Sequence, residues 1–402
     1  MNSPAWYALL ILLFVLSLAL RQGLLFFFTA LLALASLASH LWMRYCLNEV
    51  TYRRKLAAAR LHWREETDLT VEITNAKPLP LAWLMVLDFF PDGVTLLTRQ
   101  PGQPSSSRVL TNLLALRWYE RVRRSYRIRG DQRGAFRFGP ADLLSGDVFG
   151  FHWRSATVPE VDELIVYPKV VPITALGLPP AWPLAEEKAA IHLVDDPLRM
   201  ATVREYAPGD SMRYLHWKAT ARTQQLQTKV FDPGASRVIY LIVDVQTSPN
   251  PYVVVPEHEE LIVSAAASVA THALTSHQAV ALYTNSGIGS SSKCVSIPAS
   301  RSPTQLGQIM EMLARLDPFR QLSLGHLLLR DLRNLPYGAT MVVITALPEE
   351  ETIKTLLILR DRQHPVTVLT VGERPTQMPS GLQVYHLGGK DAWRDLQALE
   401  LG

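Results

Sequence analysis

Two long uncharged stretches at the amino end constrain this chain more than any other feature. Ala5 to Leu20 carries no charge, and Gly23 to Met43 is interrupted only by Thr29, Ser36, Ser39 and His40. Each approaches the roughly 20 apolar residues that a bilayer core requires of a helix. Ten strongly apolar residues between Leu9 and Leu20, at about −0.5 kcal/mol apiece, favour insertion by about 5 kcal/mol. A cleaved signal peptide is the alternative, but the first 20 residues hold no Lys or Arg and the second run follows at once. Residues 1–45 are therefore expected to form a transmembrane helical hairpin that turns at Arg21 and Gln22. Arg44, Arg53, Arg54, Lys55 and Arg60 cluster just after the second run, which by the positive-inside rule puts the soluble domains on the cytoplasmic side of the cell inner membrane.

The remainder reads as ordinary soluble protein. A net charge of +4 on 402 residues and two distant cysteines, Cys46 and Cys294, exclude a disulfide scaffold and a disordered tail, and leave room for two or three cores. Residues 46–170 read as a β-rich, sandwich-like domain. Asp68 to Asn75 alternates with period two, and further short strands are expected at Leu81 to Asp88, Ser125 to Arg129 and Ala135 to Phe138, the last two joined as a pair through Gly130 to Gly134. Eight arginines lie between Arg117 and Arg137 against Glu120 and Asp131. They are either a positive surface for nucleic acid, acidic lipid or a partner, or the solvated faces of strands whose Tyr126, Ile128, Phe136 and Phe138 point inward; the second reading is preferred, and nucleic acid is not expected. Pro168, Pro172, Pro179, Pro180 and Pro183 then open a linker that together with the next motif spans 171–232.

Arg204 to Arg222 is the densest constellation in the chain. Pro208-Gly209 makes a turn and Asp210 is suited to cap a helix running to about Arg222, on which Arg213, His216 and Trp217 share a face. Two uses are open. Arg204, Asp210, Arg213 and His216 converge on an anion, a partner's carboxylate or a hydrolytic site, or they form a buried network with Trp217 as core anchor; the structural use is preferred.

This run resembles the signature of the domain-of-unknown-function-58 family, Arg-x-Tyr-x-x-Gly-Asp-x-x-Arg-x-x-His-Trp-x-x-x-Ala-Arg. Arg204, Tyr206, Gly209, Asp210, Arg213, His216, Trp217, Ala221 and Arg222 fill every position. Arg133-Gly134, Gly139-Pro140 and Asp147-Val148-Phe149-Gly150 match the family's middle pattern. The resemblance implies a bacterial membrane protein with a two-span hairpin, a β-rich region and a von Willebrand A-like domain. It also implies partners: a MoxR-type AAA+ ATPase, and neighbouring membrane proteins such as a transglutaminase-like protein.

Residues 233–402 carry the pattern of a doubly wound α/β domain. Apolar runs at Val238 to Asp244, Ala279 to Thr284, Thr340 to Thr345 and Val366 to Val371 alternate with helical stretches at 257–276, 303–316, 324–335 and 349–363. Ligands in such folds sit beyond the carboxyl ends of the strands, here Asp244 to Ser248 and the residues after Thr345. The von Willebrand A resemblance implies a divalent cation such as magnesium at that place. Its ligand pattern is degenerate: Asp244, Ser248 and Ser323 are the surviving candidates, Gln246 replaces a serine, and Ala346 stands where an acid belongs. No bound metal or other cofactor is expected. No nucleotide loop, zinc spacing or nucleophile elbow occurs. The expectation is a noncatalytic, membrane-anchored scaffold, with an anion-binding or hydrolytic module at Asp210 and His216, or a metal-dependent protein-binding domain, as the alternatives.

Overall fold

The structure is a computed structural model that describes residues 4–20, 22–98, 108–147, 153–176, 200–207, 212, 215–231, 238–289, 293–331, 335–336, 339–362 and 364–401. The chain divides into two compact units, Met1–Pro168 and Lys169–Gly402.

The first unit begins with two helices, α1 (Pro4–Ala19) and α2 (Gly23–Tyr45). By length and composition α2 suffices to cross a membrane. Leu24, Phe27, Phe28, Leu34 and Leu37 on it are all more than half exposed, while the Thr29 hydroxyl is satisfied within the helix, donating to the carbonyls of Leu25 and Phe26 at 2.9 and 3.0 Å. Phe14 of α1 and Phe26 of α2 stand 5.4 Å apart between ring centroids.

Among the described residues eleven strands follow: β1 (Val50–Leu56), β2 (Arg60–Leu61), β3 (Glu66–Asn75), β4 (Leu81–Phe89), β5 (Val94–Leu96), β6 (Val109–Leu116), β7 (Arg121–Gly130), β8 (Gly134–Phe138), β9 (Ala141–Gly146), β10 (Trp153–Val158) and β11 (Asp162–Val166). They form two four-stranded antiparallel sheets, ordered β1-β3-β7-β5 and β10-β9-β4-β6, and a small third sheet, β2-β11-β8. Alternation along β3 buries Leu69, Val71 and Ile73 against Leu84, Val86, Leu110 and Leu143 of the second sheet, so the two sheets share one core. The expected pairing of the 125–129 and 135–138 strands does not occur. β7 pairs with β3 and β5, whereas β8 pairs with β11. The connection is tied elsewhere, because the Asp131 and Gln132 N–H groups both donate to the Gly93 carbonyl.

The second unit contains β12 (Ile173–Leu176), β13 (Met200–Glu205), α3 (Trp217–Thr223), β14 (Gln227–Phe231), β15 (Val238–Val243), α4 (Pro256–Thr275), β16 (Ala279–Thr284), β17 (Ser286–Ile288), β18 (Ser296–Ser300), α5 (Gln305–Ala314), β19 (Leu316–Arg320), α6 (Leu324–Asp331), β20 (Thr340–Thr345), α7 (Glu350–Asp361), β21 (Val366–Thr370), β22 (Gln383–His386), α8 (Lys390–Asp395) and β23 (Leu399–Leu401). Its centre is a six-stranded sheet, β18-β16-β15-β20-β21-β22, parallel throughout except at the antiparallel edge strand β18. α6 and α7 pack on the face bearing Ile242, Met341, Val343, Val366 and Val368, and α4 lies against β15, β16 and β20. The proline-rich segment, expected to support neither a helix nor a central strand, holds the short β12 just after Pro172, which pairs in parallel with β23 in a two-stranded sheet and so is not a central strand.

Candidate functional site

The signature forms an antiparallel ladder of β13 with β14, with α3 inserted between them. The helix is shorter than the sequence suggests, and the backbone explains why. Leu215, which is buried, bridges to Thr228, and the His216 N–H donates to the Gln227 carbonyl at 2.8 Å, so the chain before Trp217 is drawn into the ladder and not into a helix. The cap is His216, whose Nδ1 accepts the Ala219 N–H at 3.0 Å. At the other end Gln224 adopts a left-handed conformation (φ 61°) and donates its N–H to Thr220. His216 therefore lies outside the helix and does not share a helical face with Trp217. Gly209, Asp210 and Arg213, including the expected Asp210 cap, lie outside the described residues.

Nor is Trp217 a core anchor. It is 68% exposed, as is Met212, and Leu226 is 44% exposed. α3 has no buried residue: its seven residues make barely two turns, and it packs beside β14. Lys218, Ala221 and Arg222 are likewise on its exposed surface. Arg204 donates to the neighbouring Glu205 carbonyl at 3.1 Å, and the Tyr206 N–H donates to Leu226.

The carboxyl edge of the parallel sheet is a second constellation. Asp244 follows β15 and is buried. Its Oδ2 accepts from the Thr345 hydroxyl at 2.7 Å, and its Oδ1 from Asn285 Nδ2 at 2.7 Å and the Gln246 N–H at 3.1 Å. Asn285 in turn accepts the Val245 N–H at 3.0 Å. Three strand ends are thereby laced together. Burial pushes the Asp244 carboxyl up from its ordinary range, against the opposing pull of these donors. Above it Arg320 donates to Gln246 Oε1 and pairs with Glu349 at 2.6 Å. The other candidate ligands are not gathered around Asp244. The Ser248 hydroxyl faces the Asn250 N–H at 3.4 Å, and Ser323 bonds His326 Nδ1 at 2.7 Å. Among the described residues no cluster of three or more His, Cys, Asp or Glu is suited to hold a metal. Asn285 occupies a strand-end position that the topology rule marks, whereas Arg320, on a short strand outside the main sheet, carries no sequence signal.

The middle pattern has structural work to do. Arg54, with its side chain 1% exposed, pairs with Asp88 at 2.5 Å and Asp162 at 2.9 Å and donates to the Glu160 carbonyl. Tyr52 donates to Asp88 at 2.6 Å. Gly139 (φ 94°) lies against the Arg54 guanidinium, where a Cβ would collide with both terminal nitrogens. Asp147 accepts a hydrogen bond from Ser39 of α2; Val148, Phe149 and Gly150 lie outside the described residues. The arginine-rich strand is mostly matched by acids across β3: Arg123 and Arg121 reach Glu72 at 3.0 and 3.5 Å, and Arg127 lies 3.7 Å from Glu66 and 3.8 Å from Asp68. Arg123 holds the Glu72 carboxyl below its ordinary range.

The model of a family described as "Protein of unknown function DUF58" matches residues 202–387. The uncharacterized protein YeaD of Bacillus subtilis (strain 168) is 27% identical over 209 residues, covering 50% of this chain and 49% of YeaD. The chain thus spans about half the length of that curated relative. Among solved structures, the CARDB domain of the PF1109 protein from Pyrococcus furiosus is similar over 29% of this chain and 91% of that one, at 9% identity and a TM-score of 0.21. Trypsin-activated alpha-2-macroglobulin from Escherichia coli is similar over 30% of this chain and 7% of that one, at 16% identity and a TM-score of 0.23.

Proposed function

Because the chain belongs to the DUF58 family through residues 202–387, we propose that it is a noncatalytic, membrane-anchored interaction protein that docks a partner through the signature hairpin. The observation that carries this reading is the exposure of Trp217, Met212 and Leu226 on the segment densest in motif residues. A solvent-facing Trp and Met beside Lys218 and Arg222 make a surface of the kind that anchors a protein interface with an acidic rim. The partner class is supplied by the family resemblance: a MoxR-type AAA+ ATPase that furnishes the energy this chain does not generate, in company with neighbouring membrane proteins such as a transglutaminase-like one.

The α/β unit is read as von Willebrand A-like, supported by a parallel sheet whose sole antiparallel strand among those described, β18, sits at the edge beside β16. Metal-dependent binding is set aside because the Asp244 oxygens are already committed to Thr345, Asn285 and Gln246. A hydrolytic role for His216 is disfavoured by the engagement of its Nδ1 as a helix cap. Anchoring is read as two spans, α1 and α2, with the soluble units cytoplasmic, on the strength of Arg44, Arg53, Lys55 and Arg60 after the second helix.

The test is co-purification of the full-length protein with the ATPase. Trp217→Ser combined with Met212→Ser is expected to reduce recovery of the ATPase at least tenfold while the thermal midpoint stays put. Undiminished recovery from that variant would dispose of the docking surface.

A further inference from the structure

At the seam between α2 and the β-sandwich lies an open recess of about 560 Å³, walled by Trp42 of α2, by Pro80, Leu81 and Leu116, and by Arg117 and Glu120 of the turn joining β6 to β7. Three polar groups on this wall are incompletely used. The Trp42 indole N–H is buried and has no hydrogen-bond partner among the described residues. Arg117 is exposed and forms no ion pair among them. Glu120 accepts the Arg117 backbone N–H with Oε2 at 2.6 Å, which leaves Oε1 without a partner among the described residues. The wall therefore offers one cation, one anion and one neutral donor beside an apolar floor.

Its surroundings say what kind of molecule arrives there. Above Trp42 on the same helix run Ala38, Leu34 and Leu31, all exposed, an apolar track of the sort that acyl chains cover. On the turn itself Trp118 and Tyr119 are 66% and 67% exposed, the residue types that settle at headgroup depth. The turn is fastened to the root of α2: Tyr119 N–H donates to Lys77, whose ammonium donates to the Asn48 carbonyl at 2.8 Å, just beyond the helix end. A membrane-embedded α2 would thus carry the recess to the level of the headgroups.

We propose that this recess is a headgroup site for a phospholipid bearing a primary ammonium group, of the phosphatidylethanolamine type. Arg117 takes the phosphodiester, for which a guanidinium is the matched donor. Glu120 Oε1 takes the ammonium, and the Trp42 N–H serves an ester or phosphate oxygen. A purely anionic headgroup satisfies Arg117 but sets a second negative charge against Glu120, so the site discriminates between the two lipid classes.

The inference rests on α2 crossing the bilayer, and the test separates the two. Full-length protein in detergent micelles is titrated with phosphatidylethanolamine or phosphatidylglycerol, and bound lipid is counted by native mass spectrometry. The wild type is expected to favour phosphatidylethanolamine about tenfold. Arg117→Gln should weaken both lipids, and Glu120→Gln, which keeps an oxygen for the Arg117 N–H, should abolish the preference. Trp42→Phe should weaken phosphatidylethanolamine severalfold with the preference retained. Equal binding of both lipids by the wild type, or a preference that survives Glu120→Gln, overturns the site. Alkaline carbonate washing of native membranes reads the other premise: release of the wild-type chain refutes the span, and retention together with absent lipid preference refutes only the site.

Discussion

Asp244 shows how much a single buried carboxylate can hold. Replacing it by Ala strands the Thr345 hydroxyl, the Asn285 amide and the Gln246 N–H at once, and the expected loss is about 2–3 kcal/mol, read from the denaturant midpoint of the full chain. Asp244→Asn keeps Oδ1 for two of those donors and should cost under about 1 kcal/mol. Both variants also differ from the wild type in pH response. Burial raises the Asp244 pKa in the folded state above its unfolded value, so the folded chain binds that proton more tightly. The stabilisation is fully present below the unfolded pKa and is lost as pH rises through the folded one. Asp244→Asn removes this part of the slope, and a wild-type and variant pair with identical slopes would show that the carboxylate is not held in this way. Gly139→Ala is a second residue-scale case: φ 94° and the neighbouring Arg54 guanidinium leave no room for a Cβ, and a destabilisation of about 2 kcal/mol or more is expected in thermal unfolding. The sequence marks Gly139 and Asp147 as motif positions, yet their work could not be read from it. Gly139 makes room for Arg54 and Asp147 receives Ser39, and both partners come from distant parts of the chain.

At the scale of elements, period and run length carried most of the information. The alternation at 68–75 lies within β3, and the four apolar runs of the C-terminal half correspond to β15, β16, β20 and β21, because a strand's burial pattern is local. What fails is pairing and capping. β7 and β8 are neighbours in sequence but belong to different sheets, a choice made by the distant partners β3 and β11. The signature helix begins at Trp217 since the Leu215 bridge and the His216 N–H bind the preceding backbone to β14, contacts with no local signal. Two expectations follow. His216→Ala removes the Nδ1 acceptor of the Ala219 N–H, which keeps only the His216 carbonyl, and should cost about 1 kcal/mol, whereas Trp217→Ser, on a 68% exposed side chain, should leave the thermal midpoint within about 1 °C of wild type, since exposed substitutions away from special contacts change little. A large loss of stability in the tryptophan variant would restore the packing role that its exposure denies.

For the whole molecule, the first unit is not a helix followed by a loose domain. Arg154 Nη1 donates to the Arg44 carbonyl at 2.9 Å, and the Ser39 hydroxyl donates to Asp147, so the β-sandwich grips α2 over its last two turns. Ser39→Ala should lower full-chain stability by about 1–2 kcal/mol in micelles by taking a donor from a buried carboxylate, and no change would mean the grip is idle. This clasp has a consequence for bilayer thickness. On the proposed two-span reading, with the clasp at Ser39 marking where hydrocarbon ends, the greasy part of α2 left for it runs from Gly23 to Ala38, about 24 Å at 1.5 Å per residue. α1, at 16 residues, comes to the same figure. A standard hydrocarbon slab is about 30 Å deep, so that reading requires the surrounding lipid to pinch inward near the clasp, or the sandwich's aromatic rim to sink to meet it.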